Sequence, residues 1–186
     1  MERLQRDAVI ISLMEHLGKK GSWCGETHIQ KATYFLQKLF GVPLGFEFIL
    51  YKHGPFSFDL SDELTAMQAD MLIRMHLQPR PYGPSLVLTD GGEMIKNNYP
   101  VTLKKFDPEI RFVSEKFKKK SVAELERLST ALFVTHEIDT DESIESRAKM
   151  ITELKPHVKI DEALDAVKAI DEIIESGKRS RCAQRV

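Results

Sequence analysis

At 186 residues, with 42% apolar and 30% charged residues and a formal net charge of −1, the chain has the composition of an ordinary soluble globular protein, and no global field draws it to nucleic acid or lipid. No apolar stretch approaches the ~20 residues of a membrane span, and the N-terminus lacks a signal-peptide layout. Cys24 and Cys182 stand far apart, the second in a polar tail, which reads as reduced thiols in a cytoplasmic protein rather than a disulfide framework.

Apolar residues at Ile10, Leu13, Met14 and Leu17 predict a first helix over about 3–17, ended by Gly18 and Gly21. A second helix starts near Thr27, where Thr27 and Gln30 have capping-box spacing. Its face is Ile29, Ala32, Leu36, Leu39 and Phe40, and Gly41 with Pro43 supplies the stop. Alternation over Phe46–Tyr51 predicts a short strand, His53-Gly54-Pro55 a turn, and Leu60, Leu64 and Met67 a third helix.

Met71, Ile73, Met75 and Leu77 alternate as a strand, and a Pro/Gly-rich connection over 79–84 leads to a return strand through Leu86 and Leu88. Asp90 and Glu93 then open a helix with capping-box spacing. Three helices, a hairpin and a further helix resemble a winged helix-turn-helix. The expected fold class is therefore α+β, mostly helical, with a winged-helix-like N-terminal half and a β-hairpin wing, followed by an all-α extension.

From residue 107 onward the pattern is helical throughout. Asp107-Pro108 reads as a helix start. Ser121 and Glu124 form a capping box ahead of Leu125, Leu128 and Leu132. Ile144, Ala148 and Ile151 mark a helix ended by Pro156, and Leu164, Val167 and Ile174 one ended by Gly177. The expected division is a domain over 1–100, a helical extension over 101–177 and a frayed tail over 178–186. The amphipathic extension needs a surface to cover, either the N-terminal half or a second copy of the chain in a homodimer.

Charge decides how the third helix is read. Residues 54–72 hold no Lys or Arg, yet contain Asp59, Asp62, Glu63 and Asp70. A groove-reading helix approaches phosphates through cations, so an acidic helix in that place points to a protein partner. Carboxylates near a helix start also complement its dipole and face water, which is the plainer reading of Asp59, Asp62 and Glu63. Cations for a nucleic-acid interface reduce to Arg74, Arg80 and Lys96, with Lys116–Lys120 a patch equally expected of a helix C-terminus.

Cys24 and His28 lie one helical turn apart and are weak metal candidates, since zinc needs further ligands that no nearby Cys/His pair supplies. The plainer reading is a partly buried thiol and a surface imidazole. Gly91-Gly92 lacks the lysine and spacing of a phosphate loop. No cofactor is expected, and no coherent catalytic set emerges. Tyr51, His53 and Phe56 form a stiff turn that either presents a contact surface or merely reverses the chain.

Lys31-Ala-Thr-Tyr-Phe-Leu36, and Tyr51-Lys-His-Gly-Pro-Phe56 followed by Leu60 and Leu64, resemble Panacea domains, the antitoxin domains typified by SocA, and within them the YwgA-like bacterial group. The resemblance covers about residues 5–98. It implies a small bacterial neutralising or adaptor domain that binds a toxin, effector or client. Lys31, Tyr34, Tyr51, Gly54 and Pro55 match its pattern as scaffold or contact residues.

The first expectation is thus a non-enzymatic protein-binding module of a toxin–antitoxin, phage-defence or stress operon. Its contact residues are drawn from Lys31, Tyr34, Tyr51, His53, Gly54, Pro55, Phe56, Asp59, Asp62 and Glu63. The alternative is a winged-helix DNA-binding regulator. A third reading is an enzyme working through Cys24, His28 or the His53 turn.

Overall fold

The computed structural model describes residues 1–79, 83–138 and 143–183. The fold is α+β and mostly helical, in two compact units. One comprises Met1–Phe48 with Ser57–Lys120, the other Ile49–Phe56 with Ser121–Val186.

In the first unit, helices α1 (Arg3–Lys19), α2 (Glu26–Phe40) and α3 (Phe58–Ala69) precede an antiparallel pair, β3 (Ile73–His76) with β4 (Ser85–Leu88). Helices α4 (Asp90–Asn98) and α5 (Pro100–Phe117) complete it. Helix α1 is the axis, touching α2, α4, α5 and β4. The sequence suggested a stripe, but every residue from Asp7 to Met14 is buried, so α1 is a core helix enclosed on all sides.

Helix α2 starts at Glu26 with Gly25 as its cap, and Thr27 makes no capping box. Gln30 is instead occupied by a distant backbone, that of Ser57. Helix α3 is capped by the Ser57 hydroxyl, which accepts from Leu60 N, and it buries Leu60, Leu64 and Met67 as expected.

The β3–β4 ribbon departs from the expected alternation. Only Ile73 of its odd positions is buried, whereas Met71, Met75 and Leu77 are 73%, 50% and 79% exposed. Met71 is not in the strand; it leaves α3 in a left-handed conformation (φ 59°). Past the ribbon, Thr89 rather than Asp90 caps α4, accepting from Gly92 N. Gly91 and Gly92 are required by close approach, since a Cβ would sit 2.6 Å from the Met71 carbonyl oxygen and 2.4 Å from that of Leu72.

Asp107-Pro108 does not start a helix. Helix α5 begins at Pro100, and Pro108 lies inside it. An interior proline costs about 3 kcal/mol; burial of Phe106, Ile110, Val113 and Phe117 offsets that. Because this stripe packs on α1 and α2, α5 belongs to the first unit. The unit boundary thus falls elsewhere than the expected residue 100.

The second unit opens with the hairpin β1 (Ile49–Tyr51) and β2 (Gly54–Phe56), joined through Lys52-His53. The strand expected over 46–51 is therefore shorter, and Gly54-Pro55 is its return strand rather than a turn. Helices α6 (Val122–Glu137), α7 (Ile144–Leu154) and α8 (Ile160–Ala183) follow. The Ser121/Glu124 capping box is present. Leu125, Leu128, Leu132, Ala148, Ile151, Ala163 and Val167 are buried where the three helices meet. Helix α8 runs through Gly177 and the expected frayed tail as far as Ala183, because a lone helical glycine costs only about 1 kcal/mol and no proline follows it. Arg80 and residues 184–186 lie outside the described residues.

Candidate functional site

Two polar clusters carry the candidate residues, one in each unit. In the second unit the β1–β2 hairpin lies on α6 through Gly54. A Cβ there would meet Ser129 Oγ at 3.0 Å, Thr130 Oγ1 at 3.2 Å and the Glu126 carbonyl oxygen at 3.4 Å, and its φ is +84°. Both demands select glycine.

Lys155, at the end of α7, pins the hairpin by donating its ammonium protons to the Tyr51 carbonyl and, at 2.9 Å, to that of Lys52. Burial holds its pKa below the usual lysine value, against the opposing pull of Glu126. The buried Glu126 carboxylate accepts from His53 Nδ1 at 3.3 Å and from His157 Nε2 at 3.1 Å. Fixing each imidazole by one nitrogen leaves the other facing outward, since the rings are 58% and 61% exposed. Beside them Tyr51 is 52% exposed and tilts against Phe56 at 5.8 Å between ring centres. The result is a hairpin tip, pinned from within by Lys155, that exposes the Tyr51 ring beside two oriented imidazoles.

In the first unit α3 is less openly acidic than its sequence. Glu63 is buried, and Arg3 Nε donates to its Oε1 at 2.8 Å while Arg6 Nη2 donates to Oε2. Arg3 also reaches Asp70 Oδ2 at 2.8 Å, and the Arg6 guanidinium lies 4.7 Å from the Phe46 ring centre. Asp59 and Asp62 stay exposed. Together with Gly45, Phe46 and Ala66 these residues line a groove of about 360 Å³. Beneath it Asp7 is wholly buried, and neither of its oxygens receives a hydrogen bond among the described residues. Burial first, then the adjacent Glu63 charge, push the Asp7 carboxyl up to about 7, while Arg3 and Arg6 pull it down.

The remaining expected residues are not at the surface. Lys31 and Tyr34 are 1% and 0% exposed, in the core with Phe48 against the Tyr34 ring. Gly54 and Pro55 are buried too, and Phe56 is half-buried. His28 is buried rather than a surface imidazole; its Nε2 meets the Lys120 carbonyl at 3.3 Å, and desolvation lowers its pKa. Cys24 Sγ points at the Met14 carbonyl, and burial pushes the thiol up to about 12, which suppresses the nucleophilic thiolate. The thiol and the imidazole therefore engage separate carbonyls.

Spacing and charge along the sequence assign no role to Arg3, Arg6, Asp7, Glu126, Lys155 or His157. Of these, only Asp7 carries a local signal: it shares a helical face with Ile10, Ile11 and Met14 and so is carried inward. The others gain meaning only from partners distant in sequence. Helices of the described residues include none long and apolar enough to cross a membrane. Compared with protein-family models and with curated proteins, the chain matches none.

Proposed function

We propose that the chain is a cytoplasmic, non-enzymatic protein-binding module, antitoxin-like or an adaptor, serving a bacterial defence or stress system. One observation carries this reading. The exposed side chains of α3 include Asp59 and Asp62, and the nearest cations, Arg3 and Arg6, are already bound to Glu63 and Asp70. Such a face repels a polyanion and suits a polypeptide. In the Panacea-like reading, buried Lys31, Tyr34, Gly54 and Pro55 act as scaffold, and exposed Tyr51 and His53 act as contacts. A homodimer through the C-terminal helices belongs to the same reading and is measurable by light scattering.

Co-purification from the native host at low salt, followed by mass spectrometry, tests the module. A stoichiometric toxin, effector or client is the expected result; recovery of the chain alone overturns it.

A winged-helix regulator is the second reading, favoured by the order of α1–α3 before the β3–β4 ribbon and by exposed Arg74 on β3. Lys96, its other described cation, is engaged by Glu15 at 2.6 Å and Glu93 at 3.0 Å. Steeply salt-dependent gel shifts with the chain's own upstream DNA would favour this reading.

A further inference from the structure

We propose that the outer edge of β3 accepts an extended segment of the protein partner as a further strand, one whose apolar residues alternate with Asp or Glu. The inference rests on the protein-binding reading above and names the shape and charge that this segment must have.

Register fixes which backbone groups are open. Met75 stands opposite Leu86, and Leu86 N donates away from β3, to the Cys24 carbonyl at 2.9 Å. Thr89 N donates to the Leu72 carbonyl at 3.2 Å, in the same frame. Along an antiparallel pair, positions that bond across the ladder alternate with positions that point out of it. Ile73 and Met75 therefore turn their N–H and C=O groups away from β4, and no hydrogen bond meets these groups among the described residues. An open edge of this kind is a template for strand addition.

The two faces of this edge differ in chemistry. Met75 shares a face with Leu86 and, with Leu64, Thr65 and Gln68 of α3, lines a recess of about 80 Å³. That volume is below the usual range of a small-molecule site and suits a single side chain. Leu77, two residues on, leaves a large apolar side chain in water. The opposite face carries Arg74 and His76, both exposed, and neither enters a salt bridge or side-chain hydrogen bond among the described residues. Glu15, which borders His76 in the groove beside α1, is already held by Lys19 and Lys96.

Charge selects the occupant. A second copy that paired its own β3 antiparallel would set Arg74 against another Arg74 or against His76, and so would bring it no carboxylate. A partner strand with carboxylates at alternate positions gives Arg74 an opposite charge while its apolar residues cover Met75 and Leu77. DNA phosphates would engage Arg74 and leave Met75 and Leu77 uncovered.

The test titrates full-length protein with an acetylated, amidated Thr-Glu-Val-Glu-Val-Glu-Thr peptide and follows backbone amides by NMR. The expected result is slowed hydrogen exchange at Ile73 and Met75, with shifts centred on β3. Arg74→Glu should weaken this peptide about fivefold and strengthen the Thr-Lys-Val-Lys-Val-Lys-Thr counterpart by a similar factor. Met75→Pro removes an outward N–H, a change that edge strands tolerate, and should weaken both peptides. Arg74 is exposed, so its variant keeps the fold should the proline not. No shift at millimolar peptide, shifts centred on Lys116–Lys120, equal binding by Arg74→Glu, or the same protection from a mixed-sequence DNA duplex overturns the proposal. Protection of Ile73 and Met75 that grows with protein concentration alone makes the occupant a second copy and overturns it too. Co-purification separates the two claims. A partner recovered equally by wild type and by Arg74→Glu/Met75→Pro leaves the module standing and removes the strand edge; no partner for wild type removes both.

Discussion

The Gln30 side chain and the Ser57 backbone exchange two hydrogen bonds across 27 residues: Ser57 N donates to Oε1 at 3.0 Å and Nε2 donates to the Ser57 carbonyl at 2.9 Å. The amide imitates a neighbouring strand, and both residues are fully buried. It thereby holds the cap of α3, and with it the acidic face, against α2.

Gln30→Ala leaves a buried N–H and C=O without partners. The expected loss is about 2–4 kcal/mol in urea unfolding. Native-state hydrogen exchange should show Ser57 and Leu60 amides losing protection before those of α1. Unchanged protection at Ser57 would contradict this account.

Gly54→Ala places a methyl against Ser129, Thr130 and the Glu126 carbonyl at a left-handed φ. Destabilisation of about 2–3 kcal/mol is expected. Pairing the change with Ser129→Gly should recover part of it, because only the contact component is relieved.

Asp7 makes stability fall as pH rises. Its carboxyl is held up to about 7 in the folded protein, against 3.8 for a free side chain. Between those values the folded state binds more protons than the unfolded one, so this contribution is greatest below about 4 and is lost through about 7. Asp7→Asn should flatten the thermal midpoint between pH 5 and pH 8 and, at the upper end, exceed wild type by about 2–4 kcal/mol. A wild-type midpoint that climbs across that window would refute the assignment.

Native protein treated with iodoacetamide should take one label, at exposed Cys182, and a second at Cys24 only in denaturant. Mass spectrometry reads this directly. Rapid native labelling of Cys24 would revive the thiol-enzyme reading.

Periodicity and local capping chemistry made most helices legible. Leu60, Leu64 and Met67 mark the inner face of α3, and Ser121 with Glu124 opens α6, because a helix face and a cap are decided within a few residues. Pro108 misled for the same reason: its local cost is real, but long-range burial of Phe106 and Ile110 outweighs it. His28 misled as well, since a polar type says nothing of how deeply its helix is enclosed.

Residue order alone determined a mostly helical α+β chain with an acidic third helix, through spacing and charge carried by neighbours along the backbone. Tertiary structure decided which of those charges remain available, by bringing Arg3 and Arg6 to Glu63 and Asp70, and which helix the hairpin serves, by setting Gly54 on α6. Coulomb attraction and close packing depend on distance in space, and pairs such as Arg3 with Glu63, 60 residues apart, leave no mark on local sequence.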